Sequence, residues 1–167
     1  MLKSLIAIVF GVALLTACGG GGDSAMDKEP ETKTEAPAEM ESNEVSLTIE
    51  GNDQMMFNKK ELKVSAGAEV TITLKHTGNM PVETMGHNWV LLKQGTDIAK
   101  FSGDATTVGL EGDYIPEGTD AVIAHTKTIG GGEETSITFT APEAGTYEYI
   151  CSFPGHWEMM RGNLIVE

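Results

Sequence analysis

From Val45 onward the chain alternates apolar and polar residues with a period of two, and this limits what it can fold into. Val45, Leu47 and Ile49 alternate with Ser46, Thr48 and Glu50; Val70, Ile72 and Leu74 with Thr71, Thr73 and Lys75; Ile137 and Phe139 with Ser136, Thr138 and Thr140. Successive side chains of a strand point to opposite faces, so each such segment can bury one face and leave the other in water. Further strand candidates are Glu61–Ser65, Asn88–Leu92, Ala121–Thr126, Thr146–Cys151 and Gly162–Val166. Turn formers separate them: Gly51-Asn52-Asp53, Ala66-Gly67, Gly130-Gly131-Gly132, and Pro142 to Gly145. Seven to eight short strands so punctuated predict an all-β, Greek-key β-sandwich. The stretch from Gly95 to Gly118 breaks the pattern and is expected to hold one short helical insertion near Asp97–Ser102.

The preceding residues have a different texture. A basic start, Met1-Leu2-Lys3, leads into an apolar run from Leu5 to Ala17 in which only Thr16 is polar. Spanning a bilayer takes ~20 apolar residues, so this shorter run reads as the core of an export signal, residues 1–17. Leu15-Thr16-Ala17-Cys18 resembles the lipobox of bacterial lipoproteins, which implies that Cys18 is acylated, by chains such as palmitate, and becomes the first mature residue. One acyl chain holds a protein only marginally, whereas two or more anchor it stably. Residues 18–44 then form a Gly-, Glu-, Pro- and Thr-rich stretch that cannot bury enough apolar surface to fold. As a charged coil it would extend over ~25–30 Å or more. The expected organisation is a signal at 1–17, a lipidated tether at 18–44 and one folded domain at 45–167. An exported lipoprotein facing the periplasm or cell surface follows, with either membrane as its seat.

The net charge is −14. Nucleic-acid binding needs a basic face, so nucleic acid is excluded as a partner. An acidic surface would favour basic proteins instead. There are two cysteines, Cys18 and Cys151, too few for a disulfide framework.

Cys151 has its own context. The chain reads Cys151-Ser152-Phe153-Pro154-Gly155-His156-Trp157-Glu158-Met159-Met160, between a strand that runs into Cys151 and another that leaves from Gly162. Pro154 and Gly155 turn the segment so that thiol and imidazole can face each other, and Met160 can approach from a third direction. Structural zinc sites are closed by four Cys or His ligands, and iron–sulfur clusters need several cysteines. A trigonal His₂Cys site with a long axial Met is the arrangement of blue-copper electron-transfer centres, which makes one copper ion the expected cofactor. The second histidine comes from His76, His87 or His125.

Four segments carry a resemblance to a known family. Gly-Asn-Asp-Gln-Met at 51–55, Met-Gly-His-Asn-Trp-Val at 85–90, Ile-Ala-His-Thr-Lys at 123–127 and Cys-Ser-Phe-Pro-Gly-His at 151–156, with Met160, closely resemble the azurins, small bacterial cupredoxins. With its lipobox the chain looks like a lipid-modified member. The resemblance implies His87, Cys151 and His156 as equatorial copper ligands, Met160 as axial ligand and the Gly86 carbonyl as a weak opposite contact. It implies that the Asn88 and Phe153 amides donate to the Cys151 sulfur and that the Asn88 and Ser152 side chains tie the ligand loops together. His76 then lies near the copper and His125 at the surface, neither as a ligand. It also implies an apolar docking patch around the His156 edge, at Met55, Met80, Met85, Phe153 and Pro154. Azurins commonly carry a disulfide near the start of the domain; this chain has no cysteines there, so another stabiliser or a lower stability is expected.

The function implied is a membrane-tethered carrier of single electrons, exchanging with redox proteins such as c-type cytochromes, with no small-molecule substrate. The alternative is a copper-binding or copper-delivery protein without redox traffic. A multicopper enzyme would need a second ligand set and a substrate pocket, so no enzymatic activity is expected.

Overall fold

The computed structural model describes residues 43–167. The expected signal, the lipidated Cys18 and residues 19–42 of the tether lie outside the described residues.

Nine strands form two sheets: β1 (Glu44–Asn52), β2 (Met56–Phe57), β3 (Glu61–Val64), β4 (Glu69–His76), β5 (Val90–Leu92), β6 (Val122–His125), β7 (Glu134–Thr140), β8 (Gly145–Ile150) and β9 (Arg161–Val166). One sheet has the order β2-β1-β4-β7, the other β3-β9-β8-β5-β6. The chain passes repeatedly between sheets, which is why β1 pairs with β4, and β3 with β9, in parallel. The all-β sandwich expected from the alternation is therefore present, with β2 as an additional short strand.

The apolar phase of each strand faces inward. Along β4, Val70, Ile72 and Leu74 are fully buried while Thr71 and Thr73 face outward and pair with Thr138 and Ser136 of β7. Ile49, Trp89, Leu91, Tyr149 and Leu164 complete the layer between the sheets. Each fully buried large side chain contributes roughly 1.5–3 kcal/mol relative to leaving it in water. The inward row of β4 does not end with Leu74: His76, 2% exposed, is its next member and carries the core up to the polar end of the sandwich.

The insertion after β5 is longer than expected. Within it a 3₁₀ turn (Leu110–Gly112) follows α2 (Ile98–Val108), while a separate short helix, α1 (Val82–Met85), lies before β5. Helix α2 runs past the expected Asp97–Ser102 through Gly103, Thr106 and Thr107, which are weak helix formers. Packing overrides that preference. Ile98, Phe101, Ser102 and Ala105 recur at helical spacing and are buried. Ile98 and Phe101 pack on Val90, Leu92 and Ile150 of the five-stranded sheet. The Asp97 side chain caps the helix by accepting from the Lys100 amide at 3.0 Å. Strand β5 is buried on both faces as a result, and it is shorter than Asn88–Leu92. Trp89 donates its amide to the Thr126 hydroxyl instead of to a neighbouring strand, and Asn88 turns to the work described next.

Candidate metal centre

Three of the expected ligands hang from one hairpin. Strands β8 and β9 pair in antiparallel fashion up to Ile150↔Arg161, and the Cys151 amide then donates to the Met160 carbonyl at 2.9 Å. The loop between them is closed at its mouth, so its ends cannot drift. Inside it, the His156 amide donates to Phe153 (3.0 Å) and the Met160 amide to His156 (2.8 Å). Gly155 supplies the left-handed residue the turn requires, at φ 81°. Met160 points inward and is fully buried, whereas its neighbour Met159 is 55% exposed. The two adjacent methionines, indistinguishable by residue type, are thus separated by the turn that leads into β9.

His87 arrives from the other side. It follows α1 and Gly86 and is tied to Ile129 by a reciprocal pair of backbone hydrogen bonds, 3.0 and 2.9 Å. Its Nε2 lies 2.9 Å from the Asn52 carbonyl and its Nδ1 2.9 Å from the Gly86 carbonyl. A neutral imidazole has one N–H. Given to Asn52, it leaves Nδ1 and the Gly86 oxygen as two lone pairs facing one point, an arrangement that a cation satisfies. The Asn52 contact fixes the tautomer, as outer partners of metal-binding histidines do.

The ligand atoms of His87, Cys151 and His156 lie within 4.8 Å of one another, and all three residues are buried. Cys151 Sγ is 3.7 Å from His156 Nδ1 and 4.0 Å from His87 Nδ1. Bonds of ~2.0 Å to nitrogen and ~2.3 Å to sulfur, as zinc makes, would set S and N ~3.7 Å apart in a trigonal plane. The side chains therefore fit one ion, and the soft thiolate with two imidazoles selects copper over harder cations. His76 is not in the group. Its ring stacks on His87, and its Nδ1 accepts from the Gly78 amide (3.1 Å), so Nε2–H donates to the Met85 carbonyl (2.8 Å). His125, half-buried on β6, is outside the group as well.

Burial sets the protonation of the site. It pushes the Cys151 thiol up to about 12, although the Asn88 and Phe153 amides donate to the sulfur and pull the other way. It pushes His156 down to about 4, helped by the nearby His87 and His76, and it lowers His87 too. The imidazoles are thus held neutral, with lone pairs ready. The thiol gives up its proton when a cation takes that place. The two amides, which the family resemblance implied, would then point at thiolate charge.

The ligand loops are braced from beneath. Asn88 Nδ2 donates to Ser152 Oγ (2.8 Å), and the Ser152 amide donates to Asn88 Oδ1 (2.8 Å). This is the expected tie between the loops. The sequence did not indicate its extension: Asn88 Nδ2 also reaches the Asp113 carbonyl (2.7 Å), and Ser152 Oγ reaches the Tyr114 carbonyl (2.9 Å). Asn52, Asp113 and Tyr114 act through backbone oxygens, which leave no mark in residue type.

The expected docking patch needs one correction. Met55, Met80, Met85 and Pro154 are half-buried near the ligand loops, but Phe153 is buried. Its ring is held between Tyr114 (5.1 Å) and His156 (4.6 Å), under the centre rather than on the surface. Among the described residues, the exposed large apolar side chains are Met56 (46%) and Met159, neither of which was expected in the patch.

Comparison with known proteins agrees with this geometry. The profile of copper-binding proteins of the plastocyanin/azurin family matches residues 43–167. The azurin of Achromobacter denitrificans is 48% identical over 121 residues, 70% of this chain and 80% of that protein. The azurin of Alcaligenes faecalis is 46% identical over 122 residues, 71% of this chain and 94% of that one. Auracyanin A, a blue copper protein of Chloroflexus aurantiacus, superposes with a TM-score of 0.69 at 37% identity, covering 74% of this chain and 99% of its own. An azurin of Methylomonas sp. strain J gives 0.68 at 37% identity, with 74% and 98% covered. With a buried thiol and two imidazoles converging in a cupredoxin sandwich, the chain belongs to the plastocyanin/azurin family of copper-binding proteins and is a blue-copper electron carrier.

Proposed function

We propose that this carrier works from a membrane surface, tethered through an acylated Cys18, and exchanges single electrons with redox proteins such as c-type cytochromes. The observation that carries the exchange reading is the place of His156. It is a ligand in a buried group, yet it sits in the loop that also bears the exposed Met159 and the half-buried Pro154. Copper, when bound, supplies the one-electron couple. The chain's part is to change shape as little as possible when the charge changes. Asn52 holds the His87 ring, the β8–β9 mouth holds Cys151, and Phe153 backs the His156 ring. In this reading Met160 and the Gly86 carbonyl would complete the hold on copper beside His87, Cys151 and His156, each as a weak contact. Support comes from the burial of Met160 and from a Gly86 oxygen 3.9 Å from Cys151 Sγ. The chain acts as a carrier without turning over a substrate of its own. The tether supports a search for partners above the bilayer, and the acidic charge favours basic ones.

The carrier reading is tested by loading the protein with Cu(II). An intense thiolate-to-copper band should appear, bleach with ascorbate and recover on mixing with an oxidised basic cytochrome c. A band that survives Cys151→Ser would overturn it, and slow exchange with every cytochrome together with ready metal transfer would favour copper delivery. The anchor is tested by labelling cells with radioactive palmitate: the wild-type chain should be marked and Cys18→Ala spared.

A further inference from the structure

Asp113 and Tyr114 are two consecutive non-glycine residues in the left-handed region, at φ 53° and 54°. Such a conformation costs roughly 1–2 kcal/mol per residue for L-amino acids and is adopted singly by Asp or Asn, rarely by a bulky aromatic next to one. Strain of this kind persists only where the surroundings over-determine it. Here the surroundings are the segments that carry the expected copper ligands. The Asp113 carbonyl accepts from Asn88, the residue after His87. The Tyr114 carbonyl accepts from Ser152, the residue after Cys151. Asp113 Oδ1 accepts the Thr128 amide at 2.6 Å, and Thr128 precedes Ile129, whose backbone is bonded both ways to His87. The Tyr114 ring lies edge-on to Phe153, which backs His156.

Each of the three equatorial ligands therefore stands next to a contact with this one turn. An ordinary right-handed turn could not aim two successive carbonyls at two different loops in this way. We propose that the Asp113–Tyr114 turn is a positioning device for the copper centre: it clamps the His87, Cys151 and Ile129 segments at fixed separation, and copper affinity depends on it. The turn ends the helical insertion, so the insertion, which looks like a decoration on the outside of the five-stranded sheet, delivers the clamp. Only the Asp113 carboxylate and the Tyr114 ring do work that a side-chain substitution can remove; the carbonyls stay.

The variants follow from the backbone. Asp113→Gly is at home at positive φ, keeps the turn and removes the Thr128 contact. Asp113→Asn keeps both a tolerated left-handed residue and an acceptor at Oδ1. Tyr114→Gly keeps the turn and removes the ring under Phe153. Copper(II) affinity is measured by competition with a chelator, and amide hydrogen exchange is followed in the copper-free protein. Loss of an outer partner of a metal ligand typically costs ~10–100-fold in affinity. Asp113→Gly should weaken copper binding by about tenfold or more, with faster exchange at the Thr128, Ile129 and Ser152 amides. Asp113→Asn should restore both to about threefold of the wild type or better, since it keeps the acceptor. Tyr114→Gly should shift the visible band, because Phe153 and His156 lose their support. If Asp113→Gly lowers the unfolding midpoint while copper affinity, band and local exchange stay at wild-type values, the turn is only a loop of the scaffold and the proposal fails. It fails equally if Asp113→Asn behaves like Asp113→Gly.

Discussion

The rings of His76 and His87 are stacked, 4.2 Å apart and within 10° of parallel. His76 lies outside the group of His87, Cys151 and His156, yet it is the last inward residue of β4 and transfers the rigidity of the apolar row below it to His87. Its neutral tautomer is fixed by the Gly78 amide on Nδ1 and the Met85 carbonyl on Nε2. Met85 is the residue before Gly86, so the same ring that supports His87 from one face also holds the backbone that leads into it.

Replacing His76 separates packing from hydrogen bonding. His76→Phe keeps a ring against His87 but leaves the Gly78 amide and the Met85 carbonyl without partners. Each buried unsatisfied group costs about 1–3 kcal/mol, so urea unfolding of His76→Phe, which leaves two, should show a loss of roughly 2–6 kcal/mol with the blue band retained. His76→Leu should lose similar stability and, without the stacked ring, should broaden or shift the band. Identical spectra for the two variants would show that the stack does not orient His87.

Gly51 of β1 lies against the His87 ring and the Met160 methyl. A Cβ there would lie 2.7 Å from His87 Cδ2 and 3.2 Å from the Met160 methyl. The His87 ring cannot yield, since His76 stacks on it and Asn52 holds its Nε2. Overpacking of this kind costs ~1–3 kcal/mol. Gly51→Ala should therefore weaken copper binding by about tenfold, each 1.4 kcal/mol being a factor of ten. A chelator titration of Gly51→Ala against wild type checks it.

The strand pattern was legible because alternation is a backbone property written into residue type. The same holds for the ligand loop, where Cys151, His156 and Met160 are crowded between two strands. What could not be read was work done by main-chain oxygens. Asn52, Asp113 and Tyr114 act through carbonyls, and any residue has one. The length of α2 was hidden because Thr106, Thr107 and Gly103 argue against helix locally, and burial of Ile98 and Phe101 against β5 decides the matter. Phe153 was placed in the patch on the resemblance alone; its ring packs against Tyr114 and His156 and is buried there.

Without copper, the stability of the domain should fall in mild acid. Burial depresses His156 to about 4, below the ordinary histidine value of 6.5, and lowers His87 as well. The unfolded chain therefore takes up protons first as pH falls. Stability present above about 6.5 is lost progressively down to about 4 and changes little through these groups below that. Each unit of depression corresponds to ~1.4 kcal/mol. Urea midpoints of the copper-free protein between pH 7 and 4 should show this slope, and His156→Gln should flatten it. An unchanged slope in His156→Gln would assign the acid sensitivity to other groups.

Met159 offers a test of where electrons leave. Its side chain is 55% exposed while its neighbour Met160 is fully buried, so it can be changed without touching the centre. Two copies exchanging electrons through their His156 ends would meet patch to patch, placing the Met159 side chains in or beside a self-complementary contact. Either sign of charge there is repelled by its own copy, and like charges brought together at an interface cost several kcal/mol. Met159→Glu and Met159→Lys should both slow electron self-exchange by about tenfold or more, since tenfold needs only ~1.4 kcal/mol. The blue band should not move. Line broadening in NMR spectra of mixed oxidised and reduced protein reads the rate. With a basic cytochrome the two variants should diverge, Met159→Lys falling below Met159→Glu, because only one of them opposes the partner's charge. If self-exchange is unaffected by both substitutions, the exit lies elsewhere on the surface.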